Sequence, residues 1–566
     1  MKRRKLFLRC TAILAAFALL GLLCSCQPVE QASAPAAAAT FEEFAAQAFA
    51  EAVSADTLTL NRTLADPAAY GITAPAVTYG QADFSEKGVE AKKEHLQARL
   101  TALAAFERDD LPPQQQKVYD LLYNDYQLTL EACDYTLFYE PFSPEGGLQQ
   151  TLPVALSDYR LTDAQAVEDY FELLSQTWDH LDAHLELEER KADEGRFMDR
   201  ITAAQVVAQC RCFVEDPQNN MLITTFDARM DAAEGFTAAE KADYKAQNKK
   251  AVERHIIPAF EKLADRLEKL SEKSREPLGL MYTPGGKEYY SHLLKAKVGT
   301  DKDSAALAGL LDAQLEAAMD ELNGLPMDSY IAYIDEEDIY GGMASENMLQ
   351  KLLAAAESDL AESCTVLPMR EGMSALTGAV HVVTSPIDQS FSACIYVDEQ
   401  APAQQRWAEL AGEAVPGVLY RHVCHRAAQP MDAEYMFGPD GFDKAWALYA
   451  QLSAYSSFAF DDANYAAFEA VNVRLDAILA ARIDLGVNMQ GWKQDKVADY
   501  LEANGFDAGM AQELIDRAVA CPAAALEGCV GMLELNDILA RQGGQTGIEA
   551  LAGAGKYPYG LLAPAE

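Results

Sequence analysis

The chain has little positive charge for its size and very few histidines. Among its 566 residues, Lys and Arg total 46 against 87 Asp and Glu, a formal net charge of −41. Such a polyanion repels nucleic acid and anionic lipid headgroups, so no nucleic-acid partner is expected. Eight histidines leave little material for imidazole-based metal sites. No CxxC pair occurs among the 11 cysteines, so a structural zinc site is not expected. The eight cysteines from Cys133 onward are scattered. They read as free thiols, with one or two disulfides left open. No GxSxG elbow, Walker loop or strand-borne GxGxxG is present, which removes the usual serine hydrolases, P-loop enzymes and dinucleotide-binding folds. The glycine-rich stretches Gly543–Gly547 and Gly553–Gly560 lack a strand-loop-helix context and read as tail loops. Beyond Leu23, no segment is long and apolar enough to cross a bilayer.

What is present begins at the N-terminus. "MKRRK" is a basic leader, Leu6 to Leu23 is a short apolar run, and "LLCSC" closes it. A Leu and a small residue before Cys26 form a bacterial lipobox, with Cys26 as the lipidated residue. The plainer alternative is an ordinary signal peptide cut near the same place. The expected organisation is a signal peptide over 1–25, a flexible tether over 26–39 and one helical body with two soft lobes over 40–566. The expected location is the extracytoplasmic membrane face, anchored through Cys26.

The body reads as mainly α. Apolar residues recur every three or four positions over Phe41–Val53, Ala164–Ala192, Ala238–Ser274 and Ser304–Leu325. "TAAE" at Thr237–Glu240 is a capping box. Strand signals are confined to Ala379–Ser385 and Phe391–Glu399, joined by "PIDQS", which reads as a β-hairpin.

Directly after the hairpin comes "LAGEAVPGVLY", Leu410–Tyr420. A small-residue run, a Glu and a Pro-Gly pair have the grammar of a metal-site helix. Zinc hydrolysis needs imidazole or carboxylate ligands with one open position, a Glu to take the proton of water, and a donor for the oxyanion. Here the expected imidazole places hold Gly412, Val418 and Leu419. Three more blocks follow in order: "KAWALYAQ" (Lys444–Gln451), "DLGVNMQGW" (Asp484–Trp492) and "PAAALEG" (Pro522–Gly528).

Together these blocks make the chain resemble the bacterial domain-of-unknown-function 885 family, over about residues 40 to 560. The resemblance implies a helical zinc-peptidase-like body, distantly similar to carboxypeptidase Taq, with a hairpin or short sheet beside the former active-site helix. It keeps Glu413, Ala414, Pro416, Gly417, Trp446, Leu448, Tyr449, Asp484, Gly491, Trp492 and Pro522. It replaces the groups that would meet metal or substrate, with Gly412, Val418 and Lys444 at ligand positions and Asn488 in place of a His. Packing residues persist together with Glu413, while the metal-binding and substrate-facing groups are replaced. What the resemblance implies here is a degenerate site with Glu413 as a remnant general base. No cofactor is expected, with zinc as the alternative.

Three functional expectations follow, one of them a purely structural envelope protein whose cleft is filled by side chains. In the first, the protein is a pseudoenzyme whose cleft binds a peptide or peptidoglycan fragment, with Lys444 pairing Glu413 and with Tyr420, Lys444, Trp446, Tyr449 and Asn488 at the cleft. In the second, it is an active metallopeptidase with Glu413 as base and a rebuilt metal site from His422, His425 and Asp443, the two His lying on the same helix as Glu413. A second His pair, His180 and His184, sits four residues apart beside the charge run "LELEERKADE" and reads as a surface pair.

Overall fold

The structure is a computed structural model. It describes residues 38–562, apart from 74, 327–339, 341, 357, 459, 461–462 and 543. The lipobox and Cys26 lie outside the described residues. Helices dominate, with one small sheet among the described residues.

Local signals placed the helices well. Helix Phe41–Val53 opens on a full capping box between Thr40 and Glu43. The Thr237–Glu240 box opens Ala238–Ala251 as expected. The helical run that follows is not continuous α-helix. A π-turn at Val252–Ile256 precedes Ile257–Leu270, because Pro258 brings no N–H to the ladder. Of the expected tail loop Gly543–Gly547, residue 543 lies outside the described residues and the rest opens helix Gly544–Gly553. It is held by Leu551 and Ala552, which are buried in an apolar cluster with Phe442 and Trp446.

Two large cores organise the body. The first gathers helix Ala164–Asp193 with Arg200–Phe213 and Ile257–Leu270 around Tyr170, Phe226 and Phe260. The second surrounds helix Ala463–Gln490, whose Leu475, Ile478, Ile483 and Val487 are all buried. Residues 481–488 are buried in succession, so the later half of this helix is enclosed on all sides, with Arg482, Asp484 and Asn488 among the buried residues. The eight described cysteines are free; Cys133, Cys210 and Cys529 are buried and Cys212 is exposed.

The expected hairpin is present as β2 (Val380–Thr384) and β3 (Ala393–Val397), antiparallel with Val382 opposite Ile395. The sheet also has a strand not foreseen, β1 (Cys364–Pro368), which pairs parallel to β3. The order β1-β3-β2 leaves β2 as an edge. β1 shows no alternation of buried and exposed residues and ends in Pro, so the period-2 signal was absent there.

Candidate functional site

The Leu410–Tyr420 stretch is not one helix. Helix Ala403–Glu409 runs into a π-turn over Leu410–Ala414, and the next helix starts at Val418. Val415 between them is extended, at φ −132° and ψ 128°. A residue before proline is pushed to such angles, and the Val415–Pro416 bond is cis. The expectation that His422 and His425 share a helix with Glu413 is therefore corrected: the Pro416 turn separates them. The turn is fastened from below, where the indole N–H of Trp446 donates to the Pro416 carbonyl at 3.2 Å. Trp446 is 1% exposed and acts as a packing residue.

Glu413 sits on the π-turn. Its Oε2 is buried and has no hydrogen-bond partner among the described residues. Burial pushes its carboxyl up to about 8, and neighbouring Glu409 and Asp443 add to this against a weaker opposing pull from Lys444. Glu409 itself anchors the sheet, since its Oε2 accepts the Val380 N–H of β2 at 2.8 Å. Gly412 packs tightly on the Gly441–Ser457 helix, where a Cβ would lie 3.3 Å from the Ala447 carbonyl oxygen.

The expected rebuilt ligand set does not converge. Asp443 forms an ion pair with Arg421, and His422 Nε2 lies 3.8 Å away. Burial alone would raise the Asp443 pKa, but Arg421 and His422 hold it well below the usual carboxylate range. His425 turns elsewhere, with Nδ1 3.0 Å from the Gly553 carbonyl, and burial brings it down to about 4. Among the described residues, no group of three or more His, Cys, Asp or Glu side chains is placed to hold a metal ion.

A cavity of about 890 Å³ opens beside this region. Lys444, Glu527, Pro522, Ala524, His381 and Asp158 are among its walls. Lys444 does not pair with Glu413. Its Nζ lies 2.9 Å from Glu527 Oε2, and although burial opposes the charge, Glu527 raises the ammonium pKa. His381 of edge strand β2 stands 2.8 Å from Asp158, which also accepts from Arg370 at 2.8 Å. Of the five residues expected at the cleft, Lys444 alone lines this cavity. Tyr420, Trp446 and Tyr449 belong to an apolar cluster with Phe442. Asn488 is fully buried and ties elements together. Its Nδ2 donates to Asp484 Oδ1 and to the Ala518 carbonyl, both at 2.9 Å, and its Oδ1 accepts from Leu280 N at 3.0 Å.

A family model described as "Bacterial protein of unknown function (DUF885)" matches residues 69–547. The chain belongs to this family. Two solved structures resemble this DUF885 chain in fold. The one from Colwellia psychrerythraea has a TM-score of 0.75 at 14% identity, covering 93% of this chain and 98% of that one. The one from Shewanella oneidensis has a TM-score of 0.58 at 13% identity, covering 93% and 99%. Both are described as putative lipoproteins, the second as one of unknown function. Among curated proteins, none matches the chain. No single described helix of this DUF885 protein is long and apolar enough to cross a membrane.

The His180–His184 pair is corrected from surface to core. His180 is 8% exposed and His184 is fully buried. His184 Nδ1 lies 2.9 Å from the His180 carbonyl. Tyr79 packs 4.9 Å from His180, and Phe84 packs 5.2 Å from His184. Burial lowers the two pKa values to about 3 and about 4, so both rings are neutral at pH 7. The adjoining charge run is also partly internal, because Lys191 is fully buried between Glu188 at 2.8 Å and Glu140 at 2.7 Å.

Sequence reading missed Arg62, Asp158, Lys297 and His381 as cavity residues. They come from distant segments, and no spacing rule connects them.

Proposed function

We propose that this DUF885 protein is a lipid-anchored extracytoplasmic binding protein with a zinc-metallopeptidase-like body. In this reading its cavity holds a peptide or cell-wall fragment without cutting it. One observation carries the reading. The residue that the resemblance sets at a carboxylate-ligand position is Lys444, and its ammonium is bonded to Glu527 in the cavity wall. The residues do not fit a zinc ion: Gly412 and Val418 offer no donor atom, Lys444 offers a cation, and Asp443 is committed to Arg421. The lipobox and the lipoprotein descriptions of the two similar structures support the anchor.

Metal content tests this directly. The full chain, purified in detergent and dialysed against trace zinc, is expected to retain well under one zinc per chain by mass spectrometry. One zinc per chain, with peptide hydrolysis abolished in Glu413→Ala, would overturn it. For the anchor, Cys26→Ser is expected to move the protein from the membrane to the soluble fraction.

The unpartnered Glu413 Oε2 favours a second reading, an active metallopeptidase with Glu413 as base and His422, His425 and Asp443 as a rebuilt site. Asp443 is paired with Arg421 and His425 Nδ1 turns to the Gly553 carbonyl, so these three side chains do not converge on one point and the binding reading is preferred.

A further inference from the structure

We propose that the cavity recognises a short peptide carrying at least two free carboxylates, one taken by Arg62 and another by Lys297; this rests on the binding reading above. The argument starts from which charges in the cavity already have partners. Lys and Arg are outnumbered nearly two to one in the whole chain. The cavity lining instead holds six of each sign, with Arg62, Lys87, Lys92, Arg275, Lys297 and Lys444 as its cations.

The acids are mostly occupied. Glu140 pairs with Lys191 at 2.7 Å, Glu145 with Arg517 at 2.9 Å, and Glu527 with Lys444 at 2.9 Å. Asp158 is held by Arg370 and His381, each at 2.8 Å. That leaves Asp83, exposed at the rim, and Asp440, whose carboxyl burial raises toward the neutral form. The cations are the reverse case. Among the described residues, five of the six (all but Lys444) have no carboxylate within 4.0 Å, and the Arg275 guanidinium donates to the Leu278 carbonyl. On an open surface such cations would mean little. Gathered in one cavity, they feel acids only at longer range (Asp56 and Asp158 for Arg62, Asp440 for Lys297) and keep their donor atoms free of close ion pairs.

Position then selects the ligand. Arg62 lies on helix Thr57–Thr63, on the wall shared with helix Leu148–Asp158. Its side chain faces the cavity, while desolvation by the surrounding protein lowers its pKa. Lys297 ends the Gly286–Val298 segment on another wall, where its carbonyl and Glu527 crowd Gly441. A phosphate is gripped by several donors converging on one point. Arg62 comes from one element and Lys297 from another, and Lys444, which shares the Asp440 neighbourhood with Lys297, is already paired with Glu527; two such cations suit two carboxylates. Phe84, Phe138 and Tyr289 line the intervening surface, which suits the apolar parts of a peptide. A volume of about 890 Å³ admits a few residues and no larger polymer segment.

The test uses the full chain in detergent and a fluorescein-labelled Glu-Ala-Glu acid, read by anisotropy against labelled Gln-Ala-Gln amide. The acid is expected to bind and the amide to bind at least tenfold more weakly. Arg62→Gln and Lys297→Gln are each expected to weaken acid binding about tenfold. Lys295→Gln, an exposed lysine outside the lining, is expected to leave it unchanged. The melting temperature is expected to hold in Lys297→Gln and to fall only slightly in Arg62→Gln, which withdraws a longer-range cation from buried Asp56. Equal binding of acid and amide, unmoved by either variant, overturns the inference while the binding reading stands. Displacement of the acid by equimolar inorganic phosphate overturns it in favour of a phosphate site. Zinc-dependent cleavage of both peptides overturns the inference and the binding reading together.

Discussion

Lys444 Nζ and Glu527 Oε2 lie 2.9 Å apart in the cavity wall, on helices Gly441–Ser457 and Ala524–Gln542. Glu527 is 3% exposed. The pair therefore fixes the spacing of two helices as well as the charge of the cavity.

Removing one partner should cost more than removing both. Lys444→Ala strands a buried carboxylate and is expected to destabilise by about 3 kcal/mol. Lys444→Met combined with Glu527→Gln is expected to lie within about 1 kcal/mol of the wild type. Denaturant melts of the two single variants and the double variant measure this, and a cycle with no coupling would remove the pair from the account.

Glu413 should make stability fall with pH. Its folded-state carboxyl is raised from an ordinary 4.5 to about 8, first by burial. A raised acid contributes stability that is fully present below its unfolded pKa and lost as pH rises through the folded one. Between pH 5 and 8 the loss is about 1 kcal/mol per pH unit. Glu413→Gln lacks this loss, so its melting temperature should gain on the wild type from pH 5 to about pH 8 and level off by pH 9. A constant difference across that range would mean that Glu413 has a partner in solution.

The helices were legible because their determinants are local. Thr40 with Glu43 and Thr237 with Glu240 cap their helices within four residues, and apolar spacing marks the buried faces. The hairpin was legible for the same reason. The site was not, because its partners are distant in the chain. Lys444 finds Glu527 and Asp158 finds His381 across gaps that no periodicity spans. His180 and His184 looked exposed because charges follow them. Their covering residues, Tyr79, Phe84 and Phe142, come from a separate stretch.

Asn488 stands where the resemblance expects a His, yet its amide is consumed by structure. Asn488→Ala frees Leu280 N and the Ala518 carbonyl in the interior and withdraws a donor from Asp484. The expected loss is about 3 kcal/mol. Asn488→Asp should be worse at pH 8 than at pH 5, because Asp484, already pushed up to about 7 by burial, gains a second carboxyl beside it. Thermal melts at the two pH values check both statements. An Asn488→Ala variant of wild-type stability that fails to bind ligand would instead place Asn488 in recognition.

Gly417 and Gly309 separate two reasons for a glycine. Gly417 has a negative φ of −73°, so a left-handed backbone is not its reason for being glycine. A Cβ there would meet the Gly412 carbonyl oxygen at 1.8 Å, and that atom is backbone in the π-turn carrying Glu413. Gly417→Ala must therefore push the turn away from the Trp446 indole, at an expected cost of about 3 kcal/mol. Gly309 lies inside helix Ser304–Gly324, and nothing stands within 4 Å of a Cβ added there. Gly309→Ala should raise stability by about 0.5 to 1 kcal/mol through the entropy of the unfolded chain. Denaturant melts of the two variants should move in opposite directions. If both rise, the Pro416–Gly417 turn is looser than its contacts imply, and the position of Glu413 is not held by it.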